Sequence, residues 1–73
     1  MTAIRDSASR RALPRWRALT GMTQTALSLE LELDRTGLHH IEAGRSQPSL
    51  QCAIRIERLT GGVVPCLGWE TGT

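Results

Sequence analysis

Apolar residues recur along this chain at intervals of three and four, the spacing of helices that bury one face. Leu13 and Trp16, with Leu19 or Thr20, share a face and predict a first helix over about 12–20. Proline is tolerated in the first turn of a helix, so Pro14 sets its regular start near Leu13, and Gly21 ends it. Thr23 reads as the N-cap of a second helix at about 24–31, carried by Ala26, Leu27, Glu30 and Leu31. Asp34 reads as the cap of a third at about 35–42, with Leu38, Ile41 and Glu42 on its inner face. A loop over 43–48 follows. Ser49 then caps a fourth helix at about 50–60, with Leu50, Ala53, Ile54 and Leu59 inward, and Gly61-Gly62 stops it. Val63 to Trp69 is an apolar tail with room for at most one further helical turn. The pattern predicts an all-α fold of four to five helices. It divides into a basic N-terminal arm at 1–11, a helical domain at 12–62 and a tail at 63–73.

With 73 residues the chain is one domain. A chain this short buries only about 60% of its unfolded surface, so dimerisation would help it. Two Trp are its only aromatics, which leaves Leu, Ile, Val and Ala to build the core. The net charge of +2 is unevenly spread. Residues 1–17 carry Arg5, Arg10, Arg11, Arg15 and Arg17 against Asp6 alone, whereas 18–34 carry only Glu30, Glu32 and Asp34. Such asymmetry can orient a polyanion, although a solvated tail explains residues 1–9 equally well.

Cys52 and Cys66 do not form a CxxC pair, and Cys52 falls in a helical run, where a buried thiol is the simpler reading. Their spacing to His39 and His40 fits no common zinc pattern, so neither metal nor cofactor is expected. No spacing suggests a nucleophile with its base, which argues against an enzyme. No apolar run approaches 18 residues and no signal peptide is visible, so the expectation is a soluble, cytoplasmic protein.

Most of the functional signal lies in residues 23–48. Two short helices with a tight break fit this stretch, and the second opens with polar side chains able to reach a base edge. That is the layout of a DNA-reading helix-turn-helix. The chain resembles the Cro/CI-type, or XRE, helix-turn-helix family over about residues 13–60. The resemblance rests on Gly21-Met22-Thr23-Gln24, Leu27, Leu38, Ile41-Glu42-Ala43-Gly44 and Pro48-Ser49-Leu50, which agree in register, with no gap from Gln24 to Glu42. A shorter match, Asp34-Arg35-Thr36, is similar to controller proteins of restriction–modification systems.

The resemblance implies a lambda-repressor-like domain whose third helix lies in the major groove of double-stranded DNA. It places Arg35, Thr36 and His40 where base-reading side chains occur, with His39 beside them nearer the backbone. An Arg fork fits guanine O6 and N7 and discriminates by about 1–3 kcal/mol. Gly37 would let the helix approach DNA closely, or is merely a helix-weakening glycine. Thr23 and Gln24 at the start of the second helix, and Gly44, Arg45 and Ser46 after the third, fall at DNA-backbone positions, which position but do not specify. Arg17 and Glu42 match a structural salt bridge. Glu32 stands where the family usually has glycine, Ser28 replaces an alanine, and Glu57 occupies a small apolar position.

These features lead to a DNA-binding transcriptional regulator, a repressor of phage or prophage type, reading a palindromic operator as a homodimer. Its dimer contact is expected in the C-terminal half, from Val63, Val64, Leu67 and Trp69. A competing arrangement folds Trp69 back over helices one and four. The alternative function is an antitoxin or protein-interaction module that neutralises a partner. No small-molecule ligand and no membrane association are expected.

Overall fold

The computed structural model describes residues 7–69. Four helices follow one another: α1 (Ala8–Thr20), α2 (Gln24–Glu30), α3 (Arg35–Glu42) and α4 (Leu50–Leu59), then one 3-10 turn at Cys66–Trp69. There is no strand among the described residues. Leu13, Leu27, Leu38, Ile56 and Val64 are fully buried, and Leu31, Ile41, Cys52, Ala53 and Trp69 complete the core.

Local chemistry sets most boundaries. Thr23 Oγ1 accepts from Ala26 N and Ser49 Oγ from Cys52 N, two side-chain N-caps. Asp34 has the extended backbone of a cap but accepts no capping hydrogen bond. Gly21 ends α1 in the left-handed region, φ 72°. In the turn between α2 and α3, Glu32 is itself left-handed, φ 56°. That conformation costs on the order of 1 kcal/mol for a residue with a Cβ. Its carboxylate meets Arg55 of α4, but both side chains are largely exposed, so the pair offsets little of that cost.

Three expectations from the sequence need correction. First, α1 begins at Ala8, so residues 8–11 are helix and not arm, and Pro14 sits inside it. A proline there removes one backbone hydrogen bond and costs about 3 kcal/mol. The helix continues because its first turns are tied down. Ser7 Oγ accepts from Arg10 N, Ser9 Oγ donates to Pro65 O at 2.7 Å, and Arg10 Nη1 donates to Glu42 O at 3.2 Å. Arg5 and the other residues of 1–6 lie outside the described residues.

Second, the tail is not a free apolar run. Val64 and Trp69 are core, and the 3-10 turn packs against both α1 and α4, the arrangement in which Trp69 folds back on its own chain. Glu57 holds this return: its Oε1 accepts from Cys66 N and its backbone oxygen from Gly62 N. That explains a carboxylate at a position expected to be small and apolar. Gly68 passes so close to Ser9 that a Cβ there would collide with Ser9 Oγ. Third, Leu50 and Leu19 point to solvent, while Ile56 takes the inward position in α4.

Candidate nucleic-acid interface

The N-terminal half of α3 and the first turn of α2 meet at an open notch of about 250 Å³, lined by Gln24, Arg35, Thr36 and His39. Arg35, Thr36 and His39 share one face because they lie four and three residues apart. All three side chains are exposed. His40 is exposed too but does not line the notch; its ring centroid lies 6.1 Å from that of His39. His39 therefore lines the notch with Arg35 and Thr36, while His40 lies one turn beyond Thr36 on the same helix. Among the described residues Arg35 and Arg45 make no ion pair, and both side chains are exposed.

The notch is held in place by a buried carboxylate. Arg17 Nε donates to Glu42 Oε2 at 2.8 Å and Arg17 Nη2 to Glu42 Oε1 at 3.0 Å. Gln24 Nε2 donates to the same Oε1 at 2.8 Å, and Arg17 Nη1 also reaches Met22 O. One side chain therefore pins α1, the start of α2 and the end of α3 together. The hydrogen bond to Glu42 raises the Arg17 pKa above its ordinary value, and partial burial opposes this. The sequence resemblance pointed to the Arg17–Glu42 pair and to Gln24 as a brace of the reading helix; that the brace runs through the Glu42 carboxylate is seen only in the structure.

Residues at the ends of the two helices divide by what their polar groups already do. Thr23 accepts from Ala26 N and keeps its hydroxyl proton to donate. Gly44 is left-handed at φ 80°, and its N–H donates to Ile41 O. Arg45 N and Ser46 N both donate to His40 O. These three amides cap α3 and are not available to a phosphate, which leaves the exposed side chains of Arg45 and Ser46. Cys52 is a buried free thiol whose pKa is raised by burial, with Arg55 acting weakly the other way; Cys66 is also free. Among the described residues no three His, Cys, Asp or Glu gather in metal-binding geometry.

The exposed Arg fork, hydroxyl and imidazole on one short helix, beside a second helix start, suit a polyanion whose edge carries hydrogen-bond acceptors. A helix-turn-helix family profile matches residues 15–63, more than half of the chain. The chain belongs to the XRE-type helix-turn-helix family. No curated protein and no solved structure matches it. Membership in this helix-turn-helix family makes the protein a DNA-binding regulator in general terms. In its architecture α2 and α3 are the helix-turn-helix pair, and α1 and α4 are the scaffold behind them. No helix among the described residues is long and apolar enough to cross a membrane.

Proposed function

We propose that the protein is a cytoplasmic transcriptional repressor that binds a palindromic operator as a homodimer, with α3 as the reading helix. The carrying observation is the notch that joins Gln24, Arg35, Thr36 and His39, in which Arg35 has no ion pair among the described residues. Arg35 and Thr36 read base edges, and His39 and His40 extend the contact along α3. Thr23, Arg45 and Ser46 bind phosphates on either side. Gln24 braces α2 through Glu42. The dimer contact falls to exposed apolar side chains of the C-terminal half that the core does not use, foremost Leu50 and Leu67. No catalytic step belongs to this function.

Footprinting on DNA flanking the protein's own gene tests the reading, with protection of an inverted repeat expected. Arg35→Ala should weaken specific binding by about 1–3 kcal/mol and relax preference at one base pair per half-site. Unchanged affinity and preference would remove Arg35 from the reading role. Sedimentation at micromolar concentration reads the assembly, and a strict monomer both free and on DNA would remove the homodimer.

Gly37 gives a second test with opposite signs. A Cβ at Gly37 would meet nothing within 4 Å, so the fold has no need of glycine there. Gly37→Ala should stabilise α3 by about 0.5–1 kcal/mol, seen as a higher melting temperature. It should also weaken operator binding, because the added methyl intrudes on the approach to DNA. A variant that gains stability and keeps full affinity would show that the groove does not come close at this position.

A further inference from the structure

Two titratable rings stand on the exposed face of α3. His39 and His40 are both exposed, and their ring centroids lie 6.1 Å apart. Among the described residues neither imidazole makes an ion pair or a hydrogen bond. His39 lines the notch one turn after Arg35, and His40 follows Thr36 at the same spacing. Histidine is the side chain that ordinarily changes charge between roughly pH 5 and 8. The groups around the pair are neutral, cationic or already engaged. α1 and α2 pack against α3. α2 brings Gln24 to the notch, and its one acidic residue, Glu30, stands at the opposite end of that helix. α1 sends Arg10 and Arg17 to the end of α3, where both bond to Glu42. Glu42 is buried and also accepts from Gln24. Asp34, exposed at the start of α3, is more than one helical turn along the chain from both histidines, and Arg45 is exposed just beyond the helix. No carboxylate among the described residues therefore holds a proton on either ring.

We propose that protons strengthen DNA binding at this interface, with His39 and His40 taking up charge as α3 enters the groove. The inference rests on the reading of α3 as the DNA-contacting helix. A neutral imidazole offers one donor and one acceptor, whereas the imidazolium offers two donors and a positive charge. Guanine O6 and N7 and the phosphate oxygens are all acceptors, so the charged form gains a hydrogen bond and attraction to the backbone. The linkage is reciprocal: DNA that favours the imidazolium is itself bound more tightly when protons are plentiful. The gain is complete at low pH and is lost as pH rises through the range in which the imidazoles on DNA discharge. At 6.1 Å the two rings repel when both are charged, so the proton uptake belongs to the pair.

The test uses the full chain and a labelled duplex that it selects from a random-sequence DNA library at neutral pH. Affinity is measured at fixed ionic strength between roughly pH 5.5 and 8.5, within the range where melting curves show the chain folded. Binding at least about tenfold tighter at the acid end is expected. His39→Gln and His40→Gln keep a polar side chain but cannot titrate. Each should flatten the slope of log K against pH, and the double variant should abolish it. Arg35→Ala should weaken binding at every pH and keep the slope. A flat or reversed profile in the parent, or a slope that survives in the double variant, would overturn the proposal and leave the DNA-binding function standing. Selection of no duplex at all would overturn that function and the proposal with it.

Discussion

Trp69→Ala is expected to destabilise the fold by about 3–5 kcal/mol and leave much of the chain unfolded at 25 °C. A domain of this size has roughly 0.05–0.15 kcal/mol of stability per residue, so a loss of that order consumes most of it. The indole is only 4% exposed and closes the core between α1 and α4, where no Phe or Tyr stands in for it. Two further variants separate packing from other roles. Among the described residues Trp69 Nε1 is buried without a hydrogen-bond partner, which costs about 1–3 kcal/mol. Trp69→Phe keeps a large ring and removes that orphan donor, so it should lose far less than alanine. Leu67→Ala changes a side chain that is 79% exposed, and at concentrations too low for dimerisation its effect should stay within about 0.5 kcal/mol. Thermal and urea unfolding of the three variants reads all of this. A Trp69→Ala protein that melts like the parent but fails to dimerise would move the indole from the core to an interface.

The sequence made the four helices and the position of the turn legible because their signals are local. Leu27, Leu38, Ile41 and Ala53 recur at helical spacing, and Thr23 and Ser49 carry their own capping oxygens. The start of α1 was hidden for the converse reason. Pro14 argued for a later start, and what overrides it comes from far along the chain. Ser9 reaches Pro65 and Arg10 reaches Glu42, contacts that no window of neighbouring residues contains. The fate of the tail was hidden in the same way. An apolar run without charge fits an interface or a core equally, and only the small Gly68 against Ser9 and the Glu57 anchor decide that it folds inward. In the interface, the resemblance named Arg35, Thr36 and the histidines, but which imidazole lines the notch depends on the angle between α2 and α3. That angle passes through Glu32, whose left-handed backbone completes the turn usually made by glycine.

The second large effect is expected at Glu42, and it should be asymmetric. The Glu42 side chain is 7% exposed and that of Arg17 is 21% exposed. Arg17→Ala therefore leaves a carboxylate deep in the protein with only Gln24 to satisfy it, and should cost about 3–5 kcal/mol. Glu42→Ala leaves a guanidinium that can swing toward water, so its cost should fall below that of Arg17→Ala. The double variant Arg17→Met with Glu42→Leu removes both charges and fills the space, and should recover most of the stability. Chemical denaturation of the two alanine variants and their alanine double gives the coupling directly, and a value below about 0.5 kcal/mol would reduce the bridge to the strength of a surface pair. Stability and recognition separate in the double variant. Glu42 Oε1 also accepts from Gln24, so a fold rescued by apolar replacement still frees the start of α2 beside Arg35, Thr36 and His39. The double variant is therefore expected to melt near the parent yet bind operator DNA more weakly. Recovery of both properties together would show that Gln24 holds its place without the carboxylate, and that the buried pair serves the scaffold alone.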